Sequence, residues 1–128
     1  MQVLAHGIDL VDVARIGRMV AEHGESFLSR CFTEGERAYA GDRKRRDEHL
    51  AARFAAKEAV LKALGTGWSN GIAWTDVEVV LLPSGQPTIS LSGRAAELAQ
   101  AQGIRAWLLS LSHTETHAIA SAIGVANG

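Results

Sequence analysis

The sequence predicts an α+β fold, with a mainly antiparallel sheet packed against a long central helix and shorter helices. Three observations carry that expectation. Helical patterns cluster in the first half of the chain and strand patterns in the second. Residues 53–67 are dominated by Ala, Leu, Lys and Glu and close on Gly65-Thr66-Gly67, which is the composition and the stop signal of a helix. Pro83-Ser84-Gly85-Gln86-Pro87 is turn chemistry between two apolar runs, and so marks a hairpin.

Taken in order, residues 3–9 read as a first strand ending at Asp9. Asp12 is placed to cap a helix over 13–23, where Val13, Ile16, Met19 and Val20 keep helical spacing and Gly24 ends the pattern. Thr33 and Glu36 have capping-box spacing, which predicts a short helix through Arg37 and Tyr39 that stops near Gly41. Asp47 and Glu48 open the central helix, where carboxylates suit the positive end of the helix dipole. Along that helix Leu50, Phe54, Leu61 and Leu64 form one stripe with Lys57 in its middle. Glu58 and Lys62 sit one turn apart at its edge, beside Ala51 and Ala55, whose small side chains would let a ligand approach. Ser69-Asn70-Gly71 is a turn, and 74–82 and 88–91 are the hairpin strands. Ser92 or Gly93 opens a helix over 95–102, with Gly103 behind it. The last strands are 107–112 and 118–125. Without repeats, linkers or low-complexity stretches, 1–128 reads as a single domain.

Composition narrows the function classes. A formal net charge of −1 gives no whole-molecule field toward nucleic acid or anionic lipid, so recognition by charge must be local. The only cysteine is Cys31, which excludes an intrachain disulfide and a thiolate metal cluster and reads as a buried apolar thiol. No run of eighteen apolar residues occurs and no leader-like segment opens the sequence, so a cytoplasmic protein without a membrane partner is expected.

Several residues are candidates for chemistry, each beside an ordinary structural role. Asp9, at a strand end, and Glu58 offer a hard two-carboxylate site of the kind Mg²⁺ uses with phosphates and water. The plain alternative is that Asp9 caps a turn and Glu58 pairs with Lys62, worth about 0.2–0.5 kcal/mol. Lys57 either snorkels out of the core or lines a pocket that receives an anion. His113, at a strand–loop junction, is either a local hydrogen-bond partner or a phosphate donor. Gly65-Thr66-Gly67 leaves backbone N–H groups exposed. Arg43-Lys44-Arg45-Arg46 is a solvated run or an anion site, and Arg15 and Arg18 on the first helix are a solvated face or meet an acidic partner.

With these residues in view, the chain resembles the holo-[acyl-carrier-protein] synthase family, the short, stand-alone type of 4′-phosphopantetheinyl transferase. Three signatures carry the resemblance across nearly the whole chain. They are Gly7-Ile8-Asp9 continuing through Val11 to Arg15-Ile16, Arg53-Phe54-Ala55-Ala56-Lys57-Glu58-Ala59 with Lys62-Ala63 and Gly65-Thr66-Gly67, and Ser110-Leu111-Ser112-His113-Thr114 with Ala118 and Ala120. The resemblance implies transfer of the 4′-phosphopantetheine arm of coenzyme A to a serine of apo-acyl carrier protein, with release of adenosine 3′,5′-bisphosphate. It implies that Asp9 and Glu58 hold Mg²⁺ on the pyrophosphate and that Lys62 neutralises the reacting phosphate, with Lys57 and Gly65 lining the same pocket. Glu58, directly or through a water, is the first choice for taking the serine proton. The family is generally a homotrimer with sites between subunits, which implies that His113 and the turn through Gly85 and Pro87 serve the adenosine end of a neighbour's coenzyme A. Arg45 and Arg53 are then candidates for the 3′-phosphate, and Arg15 and Arg18 for docking the carrier. The first helix departs from the family's strongly basic pattern at Glu22, and Glu25 follows just beyond it, which points to a weaker or differently charged docking partner.

Three rivals differ in class. A non-catalytic coenzyme A-binding trimeric scaffold would not require Asp9, Glu58 and Lys62 together. A Mg²⁺-dependent coenzyme A phosphohydrolase would turn over coenzyme A without a carrier. A nucleic-acid-binding domain using residues 43–46 would show steeply salt-dependent binding without Mg²⁺.

Overall fold

A computed structural model describes residues 1–41 and 45–126. The chain runs β1 (Val3–Asp12), α1 (Val13–His23), α2 (Glu25–Cys31), α3 (Glu34–Ala40) and α4 (Arg46–Leu64), followed by a 3₁₀ turn at Trp74–Asp76. It continues with β2 (Val77–Leu81), β3 (Pro87–Leu91), α5 (Gly93–Ala101), β4 (Ala106–His113) and β5 (His117–Val125). The strands form an antiparallel three-stranded sheet in the order β1-β5-β4 and the separate hairpin β2-β3. The expected α+β class and antiparallel pairing are therefore present.

Small residues set how the sheet meets α4. Gly7 on β1 lies against the helix so closely that a Cβ there would stand 1.8 Å from the Ala59 carbonyl oxygen. The inward positions Ala118, Ala120 and Ala122 of β5 and Ala51, Ala52, Ala55, Ala56 and Ala59 of α4 are all essentially inaccessible. Alanine on alanine lets the backbones approach. Ala51 and Ala55 thus serve packing, which corrects the expectation that their small side chains admit a ligand. The apolar stripe of α4 is correspondingly broader than its leucines suggested, because the helix is enclosed on most of its circumference.

Local chemistry explains the helix ends. Thr33 and Glu36 make the expected capping box, with Thr33 Oγ1 accepting from the Glu36 N–H and Glu36 Oε1 from the Thr33 N–H. Asp47 and Glu48 occupy the first turn of α4, and Gly65 closes it at φ +78°. Asp12 stands at the N-cap of α1 without a side-chain cap bond. Its carboxylate instead meets His117 Nε2 at 3.1 Å, because the two residues are paired across β1 and β5. The segment 25–31 was not expected to be helical; Phe27 and Cys31, one turn apart, are buried there and Leu28 packs partly against the core. Among the described residues no helix is long and apolar enough to cross a membrane.

Candidate active site

The middle of β1 passes over the last turns of α4, so Asp9 is a mid-strand residue rather than the strand end expected from sequence. Lys62 Nζ donates to Asp9 Oδ1 at 2.9 Å and to the Ile8 carbonyl at 3.1 Å. Asp9 is mostly covered, whereas the Lys62 side chain is 56% exposed, so the ammonium sits at the mouth of the site. Glu58 lies one turn before Lys62 but does not pair with it. Its Oε1 accepts from Trp68 Nε1 at 3.3 Å. The alternative of a Glu58–Lys62 surface pair is thus set aside: the lysine bridges instead to the strand that bears Asp9. Gly65 follows at the helix end, where a Cβ would meet nothing within 4 Å. Its N–H is already bonded to Leu61 and Lys62 carbonyls, so Gly65 offers open backbone surface rather than a free donor.

Asp9 and Glu58 supply hard oxygen donors. Among the described residues no group of three or more His, Cys, Asp or Glu side chains converges into a protein-only metal cage. That donor set suits Mg²⁺, which keeps waters and takes substrate phosphate oxygens to complete its octahedron. The Lys62 ammonium is the cation that Asp9 meets in this structure.

Lys57 behaves otherwise than a pocket residue. It is fully buried, its ammonium lies 2.7 Å from Glu36 Oε1, and it also donates to the carbonyls of Trp74, at 3.1 Å, and of Val77. An ammonium has three N–H donors, and all three are engaged inside the protein. Burial holds its pKa below the ordinary lysine value, and the Glu36 charge opposes that shift. The assignment of Lys57 to coenzyme A is therefore corrected: it is an internal tie between α4, α3 and β2. Glu36 completes the tie through its Oε2, which accepts from the Val79 N–H at 2.8 Å.

A second group lies toward the start of α4. Arg53, Gly85, Pro87 and His113 line one cavity of about 190 Å³, together with Tyr39 and His49. Arg53 stacks over the Tyr39 ring at 4.0 Å, and His49 meets Tyr39 and His113 edge-on. His113 Nδ1 is 2.9 Å from Glu48 Oε1, and Glu48 Oε2 is 4.0 Å from Arg45, which is largely exposed. Gly85 adopts φ +88° in the β2–β3 turn, a conformation that glycine takes without strain. Four residues expected at the adenosine end thus share a cavity, whereas Arg45 lies outside it, 4.0 Å from the Glu48 that meets His113. Arg43 and Lys44 of the basic run lie outside the described residues. In the sequence Tyr39 and Glu48 read only as helix residues and His49 as a structural or surface residue, although His49 stands one helical turn before Arg53.

Arg15 and Arg18 are exposed on α1, and the Arg15 guanidinium lies 5.5 Å from the Phe54 ring centre. Glu25, which made the end of this face look acidic, is held by Arg37 at 2.7 Å. That hydrogen bond also lowers its pKa.

Comparison with known proteins gives the family of this chain. The family description "4'-phosphopantetheinyl transferase superfamily" matches residues 5–122. A holo-[acyl-carrier-protein] synthase of Koribacter versatilis is 46% identical over 121 residues, covering 94% of this chain and 97% of its own. One from Desulforudis audaxviator is 49% identical over 123 residues, 96% of this chain and 93% of its own. The crystal structure of the Neisseria meningitidis synthase superposes with a TM-score of 0.86 at 30% identity, covering 97% and 99% of the two chains. The Helicobacter pylori synthase, solved in complex with coenzyme A, gives 0.82 at 31% identity, covering 94% and 99%. By matched length, identity and fold, this chain belongs to the 4′-phosphopantetheinyl transferase superfamily.

Proposed function

We propose that this protein transfers the 4′-phosphopantetheine group of coenzyme A to a serine of apo-acyl carrier protein, with Mg²⁺, releasing adenosine 3′,5′-bisphosphate. The observation that carries the reading is the meeting of Asp9 with Lys62 beside Glu58 at the end of α4. Phosphoryl transfer needs positioned positive charge more than covalent help from the protein. Bound Mg²⁺ would polarise the pyrophosphate and neutralise its developing charge. Asp9 and Glu58 are the residues to hold it. With Mg²⁺ held by Asp9, the exposed Lys62 ammonium would be available to neutralise a phosphate oxygen. Glu58, or a water that it orients, takes the serine proton.

Two patches on one helix support a site shared between copies of the chain. Arg53 and Lys62 are nine residues apart, which is about 14 Å along the axis and half a turn out of phase. His49 and Glu58 are offset in the same way. The 3′- and 5′-phosphates of coenzyme A flank one ribose, so opposite faces of α4 serve two different coenzyme A molecules. A homotrimer fits this requirement. The outer face of the β1-β5-β4 sheet exposes Ile8, Leu10, Leu108 and Ile119, an apolar surface that a neighbour would cover. Arg15 and Arg18 belong to the carrier-docking face, and the cytoplasm, where fatty acid synthesis takes place, is the compartment for this reaction.

Intact-mass spectrometry of apo-acyl carrier protein incubated with this protein, coenzyme A and Mg²⁺ tests the reading. A gain of one phosphopantetheine that EDTA abolishes is the expected result. No gain, with coenzyme A still bound, would leave a coenzyme A-binding scaffold in its place.

A further inference from the structure

The segment after α4 carries a pair of indoles that the reading above leaves unused. Gly65 and Gly67 at φ +78° and +58° turn the chain, and Ser69 Oγ donates to the Thr66 carbonyl at 2.6 Å. The turn brings Trp68 back along α4, where its N–H meets Glu58 Oε1 at 3.3 Å. The Trp68 ring is stacked on Trp74, with centroids 3.7 Å apart and planes inclined by 26°. Trp74 is stacked in turn on buried Phe54 at 4.7 Å, and its carbonyl is held by internal Lys57. The indole donor is thus fixed at one end to the core.

We infer that Trp68 is a positioning residue for the reaction: its indole N–H, clamped by the Trp74–Phe54 stack, fixes the Glu58 carboxylate for the metal. This rests on the reading of Glu58 as a metal-binding carboxylate. A glutamate side chain has several rotatable bonds and many rotamers to lose on ordering. A carboxylate has about four lone-pair sites. The indole fills one at Oε1 and leaves Oε2 free, which selects one orientation without consuming the group. Outer partners of metal ligands act in this way, and their loss typically weakens metal binding by about 10–100-fold.

The test uses Mn²⁺ in place of Mg²⁺, with coenzyme A present, and reads free Mn²⁺ by its electron paramagnetic resonance signal. Wild type, Trp68→Phe, Glu58→Gln and the double variant are titrated at a temperature where near-ultraviolet circular dichroism reports all four folded. Phenylalanine keeps an aromatic ring on Trp74 and removes the donor. The expected result is a roughly ten-fold weaker Mn²⁺ affinity for Trp68→Phe, a loss at least as large for Glu58→Gln, and no further loss in the double variant. Wild-type affinity in Trp68→Phe, with affinity lost in Glu58→Gln, would overturn the positioning role alone. So would losses that simply add in the double variant, since Trp68 would then act elsewhere. Wild-type affinity in Glu58→Gln would instead overturn the metal role of Glu58, and the inference with it.

Discussion

Replacing Lys57 by methionine separates its structural role from a phosphate-binding one. The substitution keeps an unbranched apolar stem of similar length and removes the ammonium. Glu36 then keeps its hydrogen bonds from the Thr33 and Val79 N–H groups but loses its counter-charge. The Trp74 and Val77 carbonyls lose their lysine donor. Breaking a buried ion pair from one side costs about 3–5 kcal/mol, and the stranded carbonyls belong to that same figure rather than adding to it. For a chain of this length each kcal/mol moves the melting temperature by roughly 3–5 °C, so Lys57→Met should melt about 10–25 °C below wild type. Adding Glu36→Gln removes the uncompensated charge, and the double variant should recover part of the loss.

The assay is thermal unfolding followed by steady-state transfer kinetics at a temperature where the variant remains folded. The folded variant should keep a KM for coenzyme A close to that of wild type. A wild-type melting temperature combined with a raised coenzyme A KM would refute the argument, because it would place the ammonium on the substrate.

Other consequences are simpler to read. Gly7→Ala forces a methyl group into the Ala59 carbonyl, a backbone atom that cannot rotate away, so it should destabilise by at least about 1–3 kcal/mol in chemical denaturation; a neutral result would mean that β1 does not lie against α4 as described. Cys31 is buried and its thiol pKa is raised by that burial, so a disulfide reagent such as DTNB should label it only on unfolding. With the folded pKa above the unfolded one, the unfolded chain sheds this proton first, and stability contributed by Cys31 is lost as pH rises past the unfolded thiol value toward the folded one. Arg18→Glu should raise the KM for the carrier and leave coenzyme A affinity unchanged, as initial rates over a range of carrier concentrations would show. Mixing inactive His113→Ala and Glu58→Gln subunits should restore part of the transfer rate after subunit exchange, whereas strictly additive residual rates would place both residues in the site of one chain.

How much of this was legible in the sequence depended on how far each signal reaches. The capping box at Thr33 and the glycine stop at Gly65 are local, and both stand where they were expected. The longer reach of β1 follows from alternation continuing past Asp9, with Val11 buried and Leu10 exposed. The seven-residue α2 gave too few inward positions for a periodicity to emerge. Lys57 shows the harder limit. A lysine on an apolar stripe has two physical outcomes, and its partner Glu36 was visible only as a capping residue. Nothing local signals that this carboxylate also reaches across to α4 and β2. Trp68 was missed for a related reason: its contact with Glu58 depends on a turn made by glycines whose positive φ angles a sequence permits but does not specify.

The same enclosure that makes α4 easy to recognise also restricts where its chemistry can lie. From Leu50 to Leu61 every residue is buried except Glu58. Rigid packing on both sides fixes the backbone, and the one opening in that run bears the carboxylate assigned to the metal. The next exposed residue is Lys62, one turn later and on the same face, where β1 brings in Asp9. A substitution within the closed run should therefore act through stability, Arg53 excepted because it lines the cavity shared with His113, and one at Glu58 or Lys62 through transfer, with Lys57 on the stability side despite its charge. The division is set by packing: a charged side chain in this helix meets substrate only where the sheet and the hairpin leave α4 uncovered.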